Sequence, residues 1–400
     1  MLVLVSDLHL TDTAARSTFD AATFGRALAA VFREAAGEGS DEVKLVLLGD
    51  VFEILKSTRW LENDVRPWEP PTEQHRETVR QIVDGILAVN GDFFAELQAI
   101  RGAHSKVDVT YVIGNHDRPL NTSMGNGSRT AIRERLGLAG DDALFLEAYE
   151  DLDYSLLAQH GHHWDKSNRY RGNSIAIGDA IVIDIVARLP IIFGDYLGVA
   201  PDDPCLRFVH EIDDVIPQTP YHMAKWLAAG LDNLDSDAST RLNAALGQVA
   251  EELVQRVRPY ESESPVAQWW VGALKRLALV IGPLRSALKL PSGANSPPPL
   301  SRNVAFDLDE SYRLHHVDYQ YTVYGHTHIP DFRSIATERG LRSYLNCGTW
   351  RRLQRAVDAN LGSAERPYAS MNVHAFVIIR HPGELRSWQP GYELRQSYYD

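Results

Sequence analysis

The chain has 400 residues, 44% of them hydrophobic and 23% charged, with 40 lysines and arginines against 53 aspartates and glutamates for a net charge of −13. Such a composition supports one large domain or two smaller ones with a sizeable core, and it excludes a disordered, collagen-like or low-complexity chain. A pI near 5.6 argues against extended nucleic acid as a partner, because matching a phosphate backbone takes a segregated face of Lys and Arg. Two cysteines, Cys205 and Cys347, are too few for a disulfide framework or a thiolate metal site, so a reducing, cytoplasmic compartment is expected. The opening MLVLVSDLHL has no basic n-region and meets Asp7 and His9 early, so it reads as a strand and not as a signal peptide. No window of about 18 residues is free of charge, which predicts no spanning helix.

In chain order, Leu2 to Ser6 is a short apolar run expected to be a strand buried on both faces, and it ends at Asp7. Val43 to Leu48 runs likewise into Gly49-Asp50, Val107 to Ile113 into Gly114-Asn115, and Leu156 to Gln159 into His160. Amphipathic stretches at Ala21 to Ala36 and Glu73 to Arg101 predict helices between the first three, the second interrupted at Asn90-Gly91. Alternating strand and helix predicts an α/β fold, in which ligands bind beyond the carboxyl ends of the strands. After His160, helical patterns dominate at Ser174 to Leu189, Pro220 to Leu231, Ser239 to Val257 and Pro265 to Leu290, and the irregular Pro291 to Pro299 follows. Strand patterns return at Tyr319 to Tyr324, Arg342 to Leu345 and Asn372 to Ile379. The expected organisation is a core in two parts, residues 1–164 and 301–400, around a mostly helical cap at 165–300.

Five short motifs fall at the strand ends: Asp7-Leu8-His9, Gly49-Asp50-Val51-Phe52-Glu53, Gly114-Asn115-His116-Asp117, His160-Gly161-His162 and Gly325-His326-Thr327-His328. An Asp and a His two apart occur by chance in many chains, and the ordinary reading of that pair alone is a turn carboxylate beside a surface imidazole. Two histidines flanking one residue after an apolar strand are more specific, since alternate residues of an extended segment point to the same side. From these motifs Asp7, Asp50, Asn115, His9, His160, His326 and His328 supply two carboxylates, one amide oxygen and four imidazoles, a mixed O and N donor set suited to Mn, Fe or Zn. A carboxylate between two ions can bridge them about 3.5–4 Å apart, the separation used for in-line displacement at phosphorus. Asp50 is the natural bridge. A hydroxide shared by the metals would then attack phosphorus while the ions neutralise the non-bridging oxygens.

These motifs, in this order, resemble those of the calcineurin-like metallophosphoesterases: DxH, GDxx(D/E), GN(H/R)(D/E), a later H, and GHxH. The resemblance covers Met1 to about His160 and Tyr319 to about Ile379, leaving the insertion unmatched. It implies a four-layer α/β/β/α sandwich with a dinuclear centre at one edge of the two sheets. It also implies that Asp7, His9, Asp50 and His328 hold the first metal, and Asp50, Asn115, His160 and His326 the second. His116 would stay unligated beside the substrate as leaving-group acid or oxyanion stabiliser, oriented by Asp117. Ile54 and Leu55 after Glu53 depart from the GDxxDRG run of the protein Ser/Thr phosphatases in that superfamily. The segments GDVFEIL and SDLHL are similar instead to bacterial UDP-diacylglucosamine pyrophosphohydrolases, which cleave a lipid-linked pyrophosphate under a helical cap. The chain differs from those at His116, where they often carry Arg, at His162, where they carry Asp, and in its much longer insertion.

The expected activity is hydrolysis of a phosphate monoester, diester or pyrophosphate with two divalent cations, Mn first, with Fe or Zn as alternatives. The expected substrate is a phosphorylated small molecule or a lipid-linked nucleotide. Two rivals stand beside this reading: a cyclic-nucleotide phosphodiesterase or nuclease using the same centre, and a non-catalytic scaffold on the same fold. Arg118, Arg169 and Arg171 are candidate phosphate grips through their planar guanidinium forks, and His162 is a candidate substrate-facing imidazole, each set against the plain reading of a solvated side chain. Pro265 to Leu290 mixes Trp269 and Trp270 with Lys275, Arg276, Arg285 and Lys289. That pattern suits a helix lying on an anionic membrane surface, against the plainer reading that it packs within the cap. Cys347 is expected to be packed and not catalytic, and the oligomeric state is not legible.

Overall fold

The computed structural model describes residues 1–12, 17–40, 42–104, 106–170, 175–200, 203–216, 316–356, 368–385 and 391–399, with isolated positions between 222 and 308. Strand β1 (Leu2–Val5) is followed by helix α1 (Ala21–Glu38), β2 (Val43–Leu48), the short α2 (Arg59–Glu62), α3 (Glu73–Val89), α4 (Gly91–Ala103) and β3 (Val107–Val112). Helix α1 forms where Asp20 can cap it, accepting from Thr23 N at 3.1 Å, and it buries Phe24, Leu28, Val31, Phe32 and Ala35 at helical spacing. The long helical pattern divides as expected at Asn90, which closes α3 and opens α4. Helix α5 (Ser128–Leu136), β4 (Ala148–Asp151) and β5 (Leu156–Gln159) complete the segment before the insertion.

Within the insertion the expected helix at Ser174 to Leu189 takes another form. It is a single turn, α6 (Ile177–Ile181), then a π-helical stretch over Val182–Ala187, then α7 (Leu189–Leu197). Pro190 enters α7 without an N–H to give to the preceding turn, and the wider π-turns take up the mismatch. Helix α8 (Pro204–His210) leads to β6 (Val215–Ile216). The remaining strands are β7 (Tyr321–Tyr324), β8 (Pro330–Thr337), β9 (Gly340–Cys347), β10 (Arg352–Ala356), β11 (Tyr368–Ile379) and β12 (Tyr392–Tyr399). The helical stretches expected from Pro220 to Leu290, and the Pro291 to Pro299 linker, lie largely or wholly outside the described residues.

The molecule is a mixed α/β structure with two mixed sheets. One orders β3-β2-β1-β11-β10-β6, with β12 also paired to β11; the other orders β4-β5-β7-β9-β8. Strands β1, β2 and β3 run parallel, as do β5, β7 and β9, so two sets of carboxyl ends are available for a site. The sheets share one apolar cluster, in which Leu2, Leu4, Val46, Leu48 and Val112 meet Leu156, Ala158, Val323, Leu345 and Cys347. A second cluster covers the other face of the first sheet with α1, α3 and α4. Cys347 is buried in the first of these clusters, and burial holds its thiol pKa well above the ordinary value.

The insertion has an apolar cluster of its own, including Ile177, Ile185, Phe193, Leu206, Val209 and Trp226. It is nonetheless built into the core, since β6 pairs in parallel with β10. Just before β6, buried Asp213 is 2.5 Å from Lys56 Nζ and accepts from Arg351, which also reaches Asp214 at 3.2 Å, while Arg352 pairs with Glu211 at 2.8 Å. Burial opposes the Asp213 charge, but Arg351 and Lys56 outweigh it and hold its carboxyl far below the usual range. Among the described residues, no helix is long and apolar enough to cross a membrane.

Removing one partner of a buried ion pair strands the others. Asp213→Ala is therefore expected to cost about 3–5 kcal/mol of stability, read from the urea unfolding midpoint at neutral pH. Because the folded carboxyl is depressed, its contribution is complete above the unfolded value near ~3.9 and fades as pH falls below it, so the gap between wild type and variant should narrow in acid. A gap that stays constant or widens below about pH 4 would contradict the assignment.

Candidate metal centre

Each motif begins where a strand stops. Asp7 and His9 follow β1, Asp50 follows β2, Asn115 and His116 follow β3, His160 follows β5, and His326 and His328 follow β7. Eight non-glycine residues among those described have positive φ, and five of them are candidate ligands: Asp7 (56°), His9 (48°), Asp50 (50°), His326 (69°) and His328 (59°). A left-handed backbone costs a non-glycine residue of order 1–3 kcal/mol and persists only where its surroundings enforce it. Here they do. Asp7 N donates to Gly49 O at 3.1 Å, His9 N to Asp50 O at 3.0 Å, and Thr349 Oγ1 to Asp7 O at 2.6 Å. The motif glycines make room, since a Cβ on Gly49 would press on the His160 ring and one on Gly325 would meet Ser6 Oγ and Asp7 Oδ2.

Two groups of donors converge, Asp7 with His9 and His328, and Asp50 with His160 and His326, each with its ligand atoms within 4.8 Å of one another. In the first group His328 Nε2 lies 3.2 Å from Asp7 Oδ1 and 3.0 Å from His9 Nε2. In the second, His160 Nε2 lies 3.1 Å from Asp50 Oδ2 and 3.2 Å from Asn115 Oδ1. A third group of His9, Asp50 and His116 shares two members with the others and adds only His116, whose Nδ1 is engaged elsewhere.

The donor set suits divalent cations. Two imidazole nitrogens facing each other at 3.0 Å cannot both be satisfied as lone pairs without a proton or a cation between them. Asp7 Oδ1 is buried and, among the described residues, has His328 Nε2 at 3.2 Å and His9 Nε2 at 3.7 Å beside it but no well-formed hydrogen bond, a setting that a cation would satisfy. The outer nitrogens are already fixed: His9 Nδ1 donates to Glu53 Oε2 at 2.6 Å and His160 Nδ1 to Leu48 O at 3.0 Å, leaving each Nε2 lone pair for the centre. Burial also keeps the His328 imidazole neutral, with its pKa down at about 4.

His116 is placed differently from expectation. Its Nδ1 donates to Glu53 Oε1 at 2.7 Å, and its backbone N donates to Asp50 Oδ1 at 2.8 Å. Asp117 does not orient it; that carboxylate accepts from Gly114 N at 2.6 Å, Val51 N at 3.0 Å and Tyr111 Oη, bracing the loop instead. Burial works against a charge on His116, but Glu53 and Asp50 outweigh it and push its pKa up to about 10. Glu53, fully buried, thus holds His9 with one oxygen and His116 with the other. The motif carries Glu53 without showing its role; its place three residues after Asp50, at the mouth of β2, is the signal in the sequence.

The arginines also differ. Arg118 is not free to grip a phosphate: its guanidinium pairs with Asp179 at 2.6 Å, lies 3.7 Å from the centre of the Tyr170 ring, and donates to Asn168 O at 3.2 Å. It fastens the insertion to the core. Arg169 Nε is buried with no hydrogen-bond partner among the described residues, and Arg171 lies outside them. His162 stands beside the second group, with its ring 5.5 Å from His160 and 6.4 Å from His326 and its buried Nδ1 without a hydrogen-bond partner among the described residues. Asp165, which sequence reading did not single out, lies 3.2 Å from His326 Nε2. Compared with known proteins, the chain matches no family model and no curated protein.

Glu53→Ala removes the acceptor that orients His9, and such outer partners of metal ligands are typically worth 10–100-fold in affinity. Calorimetric titration with Mn²⁺ should show the tighter or the weaker of two binding events lost by that factor, and Glu53→Gln should recover part of it. Unchanged titration curves for both variants would remove Glu53 from the centre.

Proposed function

We propose that the chain is a dinuclear metal-dependent phosphoesterase of the calcineurin-like kind, with the four-layer α/β/β/α arrangement that this resemblance implies. The observation that supports it is the pair of donor groups, joined by a third set in which Asp50 of one lies with His9 of the other and with His116, an imidazole that neither group needs. On this reading Asp7, His9, Asp50 and His328 hold one cation, and Asp50, Asn115, His160 and His326 the other, Mn first among the candidates. When bound, the pair of cations would supply a nucleophile from water at neutral pH and offset charge on the phosphoryl oxygens.

The protein's own residues do the rest. Glu53 accepts the Nδ1 proton of His116, so Nε2 is the nitrogen presented to the leaving group; because Glu53 and Asp50 push its pKa up to about 10, the ring is an imidazolium with a proton on Nε2 to give. Through its other oxygen Glu53 fixes the tautomer of His9. Burial of Asp7, Asp50 and Glu53 excludes water from the carboxylates and strengthens each charge interaction there. His162 Nδ1, unsatisfied and near both His160 and His326, is placed to meet a substrate oxygen.

One observation favours a narrower reading, hydrolysis of a lipid-linked pyrophosphate. A cavity of about 480 Å³ in the insertion is walled by Val186, Ala187, Pro190, Ile191, Val199 and Leu206. Its polar edge includes Lys56, whose backbone N donates to Glu53 Oε1 at 3.1 Å, so an apolar group held there would lie one residue from the His116 support.

The reading predicts hydrolysis of p-nitrophenyl phosphate or bis-p-nitrophenyl phosphate with added Mn²⁺, abolished by chelator and by Asp50→Asn. His116→Ala should slow a substrate with an alkoxide leaving group at least about 10²-fold while costing nitrophenolate esters far less. Equal losses would assign His116 to electrostatic stabilisation. No turnover of either ester, nucleotide-linked lipid or cyclic nucleotide with any first-row divalent metal would overturn the proposal.

A further inference from the structure

Beyond the seven candidate ligands, the insertion itself reaches the centre. The chain leaves β5 at His160, turns through His162–Trp164, and places Asp165 so that its Oδ2 lies 3.2 Å from His326 Nε2. Asp165 is itself held. Its Oδ1 accepts from Ser167 N at 2.8 Å and its Oδ2 from Asn168 Nδ2 at 2.8 Å, so its direction does not depend on His326. Asn168 is clamped in turn, because its carbonyl accepts from Arg118 Nη1 at 3.2 Å and a Cβ on Gly178 would run into its Oδ1. Gly178 N donates to Ser167 O at 2.8 Å. One chain of contacts therefore runs from the first helix of the insertion, through Ser167, Asn168 and Asp165, to an imidazole of the second donor group.

We infer that Asp165 is a positioning residue that fixes the tautomer and angle of His326, and that the insertion thereby governs how tightly the second cation is held. Nε2–H of His326 donates to Asp165, which leaves the Nδ1 lone pair as the one that can ligate. His9 is held in the mirror sense, its Nδ1 donating to Glu53 and its Nε2 left for the metal. The first cation thus depends on a carboxylate from the core and the second on one from the insertion. This inference rests on the proposed two-metal centre and adds to it a separate dependence for each site.

The test is Mn²⁺ titration of the full chain by calorimetry, with bound metal counted after gel filtration. Wild type should bind two ions. Asp165→Ala should keep one event at wild-type affinity and weaken the other about 10–100-fold, and Asp165→Asn, whose amide oxygen can still accept from Nε2–H, should recover most of the loss. Glu53→Ala should weaken the opposite event. Two events of wild-type affinity in Asp165→Ala would overturn the inference while leaving the centre intact; no binding to wild type would overturn the centre and this inference with it. If Asp165→Ala does not fold, ¹⁵N-histidine spectra of the Zn²⁺-loaded wild type decide: His326 should show a protonated Nε2 and a metal-shifted Nδ1, and the reverse pattern would overturn the assignment.

Discussion

The structure depends on bringing two buried aspartates and four largely buried imidazoles to one place. Asp7, Asp50 and Glu53 are essentially without solvent exposure. Isolated carboxylates there would be far too costly, so the surroundings must return what dehydration removes. Without cations, protonated histidines do so: His160 Nε2 stands 3.1 Å from Asp50 and His9 Nε2 3.7 Å from Asp7, while the neutral His328 lies 3.2 Å from Asp7. Those protons occupy places that a divalent ion could fill, and that is the physical basis for reading the arrangement as a candidate metal centre.

The fold serves that convergence in two ways. Parallel strands of both sheets deliver residues to it, so residues far apart in sequence, Asp7 and Asp50 from one sheet and His160 and His328 from the other, come together. At the strand ends the backbone turns sharply, and five of the candidate ligands take left-handed conformations that non-glycine residues avoid. Their strain is held by cross-connections between strand ends, such as Asp7 N to Gly49 O and Asn346 Nδ2 to Gly325 O at 2.7 Å. Stability is thus spent locally to fix side-chain directions, and packing between the sheets supplies it.

Much of this was legible in the sequence. The parallel strands and their terminal Asp, Asn and His residues could be read from apolar runs ending in polar motifs, and the helix break at Asn90 from its turn residues. Strands β4, β8, β10 and β12 escaped because their sequences mix polar and apolar residues without a clean alternation, although each pairs with a strand next to it in the chain. The partners of His116 and Arg118 escaped for a related reason. Glu53 is 63 residues from His116 and Asp179 is 61 from Arg118, so neither pairing has a local signature. The neighbouring Asp117 was the nearer choice on paper, yet the turn after β3 points its carboxylate back into the loop.

The central claim is that Asp50 stands between two cations. Anomalous diffraction at the manganese edge from crystals grown with Mn²⁺ tests it directly. The account predicts two peaks about 3.5–4 Å apart, one against Asp7, His9 and His328, the other against Asn115, His160 and His326, with Asp50 touching both. A single peak, or two that leave Asp50 without contact, would contradict it.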